Sequence, residues 1–340
     1  MILIDRNINN LTYVTTYMSF RINLLVTGGC GFIGSNFINH IAKTNKYNII
    51  NVDAMYYCAN EKNVDEYIRN SEYYTFVKGN ICSDDLMTHI LSSHNIEQVI
   101  HFAAQSHVQN SFDDSLQFTR DNILGTHVLL ECCRKYGKLT KFIHVSTDEV
   151  YGESMNNINE LHKTEHSILC PTNPYAATKA SAELIAQSYN HSYKMPIVIT
   201  RGNNVYGPNQ YPEKLIPRFI QLLQNDKKVT IQGNGSAVRA FLHTEDTVRA
   251  FETILEKGVI GEIYNIGCDD EMEYSVLDVA KMLIKKIKDT NDYDEWITYI
   301  EDRPFNDQRY YISNQKVKQL GWNIHMTFEE GISQLCSQQI

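Results

Sequence analysis

Five residues of this chain carry reactive groups at spacings that suit chemistry: Thr147, Asp148 and Glu149 in one run, and Tyr175 and Lys179 in another. The apolar residues Phe142, Ile143 and Val145 lead directly into Ser146-Thr147-Asp148-Glu149. A buried strand that ends so abruptly delivers polar groups at its C-terminal end, where open α/β sheets place their ligands. Tyr175 and Lys179 stand four apart, on one face of a helix. An ammonium beside a phenol stabilises phenolate and lowers its effective pKa. Such a phenol can take the proton of a substrate hydroxyl while a hydride leaves the same carbon, with Thr147 holding the hydroxyl or the phenol in line. Alcohol oxidation requires neither Asp148 nor Glu149. Adjacent carboxylates repel, so one protonates more easily than the other, and an acid beside a base suits an elimination. Once a neighbouring carbon is a ketone, the base removes the acidified proton and the acid protonates a departing hydroxyl. Taken alone, the two carboxylates could as well cap the turn.

Hydride transfer needs an acceptor, and the preceding elements supply a place for one. Ile22 to Val26 reads as a short buried strand, followed by Thr27-Gly28-Gly29-Cys30-Gly31-Phe32-Ile33-Gly34 and an amphipathic segment with Phe37, Ile38 and Ile41. The spacing of Gly28, Gly31 and Gly34 is a dinucleotide fingerprint: it permits a tight turn and close backbone approach to a pyrophosphate at a helix N-terminus, with Phe32 and Ile33 in the same turn. A second strand, Ile49 to Val52, ends in Asp53 about 20 residues on, where a carboxylate accepts from a ribose 2′-hydroxyl and repels a 2′-phosphate. NAD is therefore expected over NADP. Asn80 and Ile81 follow a third strand, and Ala103 and Ala104 follow Val99 to Phe102, their small side chains allowing close cofactor approach. Asn122 is a polar interruption in the helical stripe from about 118 to 136. Strands alternating with helices predict a doubly wound parallel sheet. After Gly202 the pattern becomes irregular, with Gly and Pro punctuating a smaller mixed region.

The composition sets limits on partners. A net charge of −9 over 340 residues repels nucleic acid and anionic membranes, while an anionic small molecule can still be gathered by local cations and helix N-termini. The eight cysteines are scattered without a Cys-x-x-Cys, so neither a zinc site nor a disulfide framework is expected and a reducing, cytoplasmic setting is. The pair His162 and His166 lacks further ligands nearby and reads as a solvated loop, so no metal is expected. Residues 1–20 are polar and without the order of a signal peptide, and are expected to form a disordered extension.

The fingerprint from Thr27 to Gly34, the run from Ser146 to Gly152 and the Tyr175/Lys179 pair together resemble the nucleotide-sugar 4,6-dehydratases, extended short-chain dehydrogenase/reductases. The resemblance runs from about Arg21 to Trp322, and Thr147-Asp148-Glu149 is its most specific element. It implies a Rossmann-type NAD-binding domain over 21–205, with parts of 240–267 returning to it, and a mainly substrate-binding mixed α/β domain over 206–340. It also implies roles. Tyr175 is the base on the sugar 4-hydroxyl, Lys179 tunes it, Thr147 assists, Glu149 removes the C5 proton and Asp148 protonates the 6-hydroxyl. Hydride passes from C4 to NAD and returns to C6, which gives a 4-keto-6-deoxy sugar. Asn204, Lys214, Leu215, Arg239, Asn265, Arg303, Asn306 and Tyr310 match positions expected to line the nucleotide-sugar site, and Arg239 and Arg303 are the expected diphosphate and nucleotide partners. The resemblance implies a homodimer through helices near 118–136 and 175–190.

Two departures matter. Gly79-Asn80 replaces the usual Gly-Asp that contacts adenine. The segment from Arg303 to Tyr310 lacks the histidine common in bacterial dTDP-glucose enzymes. With the segment from Arg201 to Gln210, it looks more like the dehydratase domain of plant-type UDP-rhamnose synthases, which favours UDP-glucose over dTDP-glucose. A 4-epimerase and a non-catalytic NAD-binding protein on the same fold are the rival readings. Epimerases and decarboxylases of this group usually carry Ser or Thr-Ser-Glu variants, so Asp148 is the residue that discriminates.

Overall fold

A computed structural model describes residues 21–154, 162–301 and 311–337. Within them the strands are β1 (Ile22–Thr27), β2 (Tyr47–Asp53), β3 (Tyr74–Lys78), β4 (Gln98–His101), β5 (Lys141–Thr147), β6 (Ile197–Gly202), β7 (Asn204–Tyr206), β8 (Val229–Gln232), β9 (Val238–His243), β10 (Ile263–Ile266), β11 (Glu273–Ser275) and β12 (Ile297–Ile300). The continuous apolar runs of β1, β2, β5 and β6 suit strands covered on both faces. These strands form the middle of a seven-stranded sheet, all parallel, in the order β3-β2-β1-β4-β5-β6-β10. This is the expected Rossmann-type doubly wound sheet. The chain winds outward from β1 through β2 to β3, then crosses back to β4. That reversal between β1 and β4 opens a crevice at the C-terminal ends of the strands.

Helices cover both faces. On one, Phe37, Ile38 and Ile41 of the helix Phe32–Ile41 meet Phe251 and Ile254 of Thr244–Lys257, with Trp322 beside them. On the other, Met87 and Ile90 of Asp84–Ser93, Leu129 and Leu130 of Gly125–Tyr136, and Ala186 and Tyr189 of Pro174–Tyr193 pack over Leu25 and Phe142. The helix Thr244–Lys257 and strand β10 thus complete the large sheet. The smaller region holds a three-stranded sheet, β11-β9-β7, and a parallel pair, β12-β8. Its helices Leu215–Gln224, Val276–Lys288 and Phe328–Ser337 close over their own core of Phe219, Ile220, Leu283, Ile284 and Phe328.

The stretch expected as one helix near 118–136 is divided. A short helix, Ser115–Phe118, runs into a π-helical segment, Thr119–Leu124, before the regular helix Gly125–Tyr136. The wide turn falls where Asp121 and Asn122 interrupt the apolar stripe, and such insertions gather at functional sites. Asn122 uses it to bind other elements. Its amide donates to Gln105 O at 3.0 Å and to Thr178 Oγ1 at 2.9 Å, while its carbonyl accepts from Gln105 N at 2.8 Å. His101 makes a second buried tie: its ring nitrogens stand 2.7 Å from Thr27 Oγ1 and 2.9 Å from Thr126 Oγ1. Burial, then the charge of Lys179, pulls this imidazole down to about 3, so it serves as a neutral bridge. No helix among the described residues is long and apolar enough to cross a membrane.

Candidate active site

The crevice between β1 and β4 continues into a cleft lined by the glycine turn, the ends of β2 and β5, and the helix beginning at Pro174. Gly28, Gly31, Phe32, Ile33, Gly34, Asp53, Asn80, Ile81, Ala103, Ala104, Tyr175 and Lys179 all line it. Gly28 has φ +73°, and a Cβ there would stand 2.7 Å from Ala103 Cα. At Gly34 a Cβ would strike the Gly28 carbonyl. Neither position tolerates a side chain, and the turn brings main-chain amides to the start of the helix Phe32–Ile41, a ready site for a pyrophosphate. Asp53 Oδ2 accepts from Cys30 N at 2.9 Å and Oδ1 from Met55 N at 2.8 Å, which fixes the carboxylate in the cleft wall. Burial raises its pKa against those two hydrogen bonds. Asn80 donates to Tyr56 OH at 3.0 Å and accepts from Cys82 N at 2.8 Å. Asn122 does not reach the cleft surface; the hydrogen bonds of its amide support the floor from behind.

A second cleft adjoins the first. It is lined by Asn204, Leu215 and Arg239, together with Arg218, Gln232 and Glu213. Lys214 lies on the wall of the first cleft and donates to Ser106 O at 3.0 Å. Of the expected nucleotide-sugar residues, Asn204, Leu215 and Arg239 thus line the second cleft and Lys214 the first, with Glu213 common to both. Asn265 does not join them. It is fully buried, accepts from Tyr151 OH at 2.8 Å and donates to Lys163 O at 3.2 Å, so its amide is occupied inside the protein. Arg303, Asn306 and Tyr310 lie outside the described residues.

The acidic pair follows β5; Thr147, Asp148 and Glu149 line neither cleft, while the neighbouring Ser146 and Tyr175 line the first. Thr147 caps the short 3₁₀ turn Asp148–Tyr151 by accepting from Glu149 N at 3.3 Å, and donates to Asp148 Oδ1 at 3.2 Å. Asp148 Oδ2 accepts from Asn203 Nδ2 at 2.8 Å, and Glu149 Oε2 from Asn173 Nδ2 at 2.9 Å. Burial, reinforced by the negative charge of Glu149, pushes Asp148 up to about 7; Asn203, Thr147 and the more distant Arg239 oppose this only in part. One carboxyl of the pair is thus a protonated acid close to neutrality.

Asn173 also accepts from Ala176 N at 2.9 Å, capping the helix in which Pro174 occupies the first turn. The same side chain therefore sets the start of the Tyr175 helix and holds Glu149. Tyr175 and Lys179 lie on one buried face of that helix, and the Thr147 hydroxyl lies close enough to the Tyr175 phenol to lower its pKa in part. The expected lowering of the phenol by Lys179 is not found. Burial, then the charge of Glu149, raises Tyr175 well above the ordinary tyrosine value. The Lys179 ammonium instead donates to Val145 O at 2.6 Å, and burial pulls it down to about 8 against the pull of Glu183.

Asn173, Asn203, Glu213 and Arg218 are site residues that the sequence reading missed. Asn173 carried a signal, since Asn before Pro is a helix N-cap. Arg218 stands four residues after Lys214, on the first turn of the helix Leu215–Gln224. Asn203 follows β6 with no periodic mark. His162, left outside the site, pairs with Asp270 at 2.8 Å and stacks on Tyr311. Among the described residues no cluster could hold a metal ion.

Residues 25–335 match the family described as GDP-mannose 4,6 dehydratase. A dTDP-D-glucose 4,6-dehydratase of Homo sapiens is 47% identical, over 92% of this chain and 88% of its own. A trifunctional protein of Arabidopsis thaliana, with UDP-glucose 4,6-dehydratase, UDP-4-keto-6-deoxy-D-glucose 3,5-epimerase and UDP-4-keto-L-rhamnose-reductase activities in its name, is 48% identical over 91% of this chain. The chain spans only 46% of that protein's length. Among solved structures, the dTDP-glucose 4,6-dehydratase DesIV of Streptomyces venezuelae, crystallised with NAD, superposes with a TM-score of 0.86 at 34% identity, over 93% of this chain and 96% of its own. The fold is shared more widely: a UDP-glucose 4-epimerase of Thermotoga maritima gives 0.83 at 31% identity, over 93% and 97%. With its acidic pair, its Tyr175 and Lys179 and a match along nearly its whole length, the chain belongs to the nucleotide-sugar 4,6-dehydratase family.

Proposed function

We propose that this protein is a NAD-dependent nucleoside-diphosphate-glucose 4,6-dehydratase, with UDP-glucose favoured over dTDP-glucose. The observation that carries the reading is Asp148: a buried carboxyl held protonated near neutrality, beside the carboxylate Glu149 and within reach of Tyr175. NAD, when bound, would supply a hydride acceptor for the sugar C4 and a hydride donor for C6. The fingerprint turn fits that group, because side chains are excluded at Gly28 and Gly34 and Asp53 is fixed where a ribose would lie. Thr147 and Tyr175 hold the 4-hydroxyl, and Tyr175 takes its proton. Glu149, steadied by Asn173, removes the C5 proton, and Asp148 protonates the departing 6-hydroxyl. The elimination needs both carboxylates in opposite protonation states, which is what their burial and proximity favour.

Asn204, Lys214, Leu215 and Arg239 are proposed to hold the sugar nucleotide, with Arg218 as a second cation for the diphosphate. Arg303, Asn306 and Tyr310 keep the roles that the family implies, whereas the Asn265 amide is taken up by Tyr151 and Lys163 inside the protein. Asn122 supports the cofactor cleft through Gln105. The similarities to the plant and human proteins are 48% and 47%, too close to choose a base. The preference for UDP rests on the segments 201–210 and 303–310. A homodimer through the helices Gly125–Tyr136 and Pro174–Tyr193 is favoured by the exposure of Leu184 and Tyr193 on the latter and of Leu116 and Leu124 nearby. Eight cysteines without a disulfide suit a cytoplasmic setting.

Incubation of the purified protein with UDP-glucose and, separately, dTDP-glucose tests the reading. A product lighter by one water, formed faster from UDP-glucose, is expected. Loss of water from neither sugar overturns it, and a galactose-configured product would favour the epimerase.

A further inference from the structure

Glu213 is the acidic residue common to both clefts, and it is held from the cofactor side. The Tyr57 phenol, in the loop after β2, donates to its carboxylate, with Glu213 Oε1 at 2.9 Å and Oε2 at 3.0 Å. Asn110 Nδ2 donates to the same phenol oxygen at 3.1 Å. The hydroxyl is therefore satisfied as donor and acceptor, and each bond polarises the other. The Tyr211 ring packs edge-on against Tyr57 with centroids 5.4 Å apart. One residue further, Lys214 reaches Ser106 O at 3.0 Å, in the loop after β4. The loops after β2 and β4 both line the cofactor cleft, whereas 213 and 214 lead into the helix that lines the second.

We propose that Tyr57 is a positioning residue that couples the two clefts: by fixing the Glu213 carboxylate it ties the loop over the cofactor to the wall of the nucleotide-sugar site. A carboxylate in a wall expected to receive two diphosphates would repel both if it swung freely. Hydrogen-bonded to Tyr57, and with His107 Nδ1 3.8 Å from Oε2, the carboxylate is held in one place. Desolvation, then the bond to Glu213, raises the Tyr57 pKa, so the phenol stays a donor throughout the neutral range. The contact is partly open to solvent, so its loss is a matter of placement and not of folding.

The inference rests on the proposed dehydratase reading, and the test keeps the two apart. In the holoenzyme, Tyr57→Phe removes one hydroxyl and keeps the ring against Tyr211. The Michaelis constant for the nucleotide sugar is expected to rise about fivefold, and bound cofactor to exchange about fivefold faster with labelled NAD. The turnover number and the melting temperature stay close to wild type. In a Glu213→Gln background, Tyr57→Phe should add little, because the group it positions is already changed. Unchanged affinity and exchange in Tyr57→Phe, or effects that add fully to those of Glu213→Gln, overturn the proposal. If the wild type dehydrates neither sugar, the dehydratase reading fails; cofactor exchange still decides the role of Tyr57.

Discussion

Asp148 and Glu183 are both buried carboxyls, one at the end of β5 and the other in the helix Pro174–Tyr193, and the protein neutralises them in different ways. Glu183, with no exposed surface, is gripped by the Arg201 guanidinium, with Arg201 Nε 3.1 Å from Glu183 Oε2 and Nη2 bound to Oε1. Arg201 is itself held by Tyr151 OH at 2.6 Å and Glu165 O at 3.2 Å. Among the described residues no cation contacts Asp148. Its polar partners are an amide and a hydroxyl, and burial together with the like charge of Glu149 favours its protonated form by raising its pKa to about 7. A charge balanced by an ion pair is fixed. One balanced by a proton can be given up, and only the second kind serves as an acid. The contrast explains why a chain tolerates such a poor environment for a carboxyl beside the reacting groups while it satisfies the nearby one fully.

Breaking the ion pair should give the largest effect. Arg201→Met strands the Glu183 charge in the core and is expected to cost about 3–5 kcal/mol of stability, read by urea denaturation. Adding Glu183→Leu should restore most of that loss, since the penalty lies in the unpaired charge. A cost below about 1 kcal/mol for Arg201→Met would remove the contrast. Next in size, Asp148→Asn keeps shape and polarity and deletes the proton. Stability should hold, whereas turnover should fall about a hundredfold. Oxidation at C4 remains possible in this variant, so reduced nicotinamide should accumulate transiently in stopped-flow absorbance. Loss of NAD binding instead would show that Asp148 is structural, as Glu183 is.

How far the site could be read from sequence differs between its two halves. The cofactor half follows from local rules: a strand, a turn that excludes side chains at Gly28 and Gly34, a helix, and a carboxylate about 20 residues on. Each is a short-range pattern, and the sheet order then places them together. The substrate half is built from short strands and turns drawn from distant parts of the chain, so no periodicity announces Arg218 or Asn203. The electrostatics were hardest to foresee. The four-residue spacing of Tyr175 and Lys179 puts the two on one face but does not say where the ammonium points, and here it points at Val145 O. The positions of Asn265 and Asn122 suggest ligand contacts, yet burial turns both amides to the protein's own backbone and side chains.

The smallest expected effect tests the protonated state of Asp148 directly. Its native value, about 7, lies above the ordinary aspartate value of 3.8. Between those two pH values the native state holds a proton that the unfolded chain has released, so this group's contribution to stability is full below about 4 and is lost as pH rises to about 7. In the proposed mechanism the same proton is delivered to the departing hydroxyl, so elimination should slow as pH rises through that value, with more reduced nicotinamide accumulating on the alkaline side. Asn203 donates to the ionised form and therefore holds the value down. Asn203→Ala removes that donor and should move the alkaline limb of the elimination step upward, by less than about one unit if a neutral hydrogen bond contributes about 1 kcal/mol. It also removes the acceptor of Cys268 N, at 3.0 Å, so some loss of stability accompanies the shift. The direction of the limb is the deciding readout: a downward move would mean that Asn203 stabilises the protonated form instead, and an unmoved limb would mean that it does not report Asp148, so that the acid would have to be sought elsewhere.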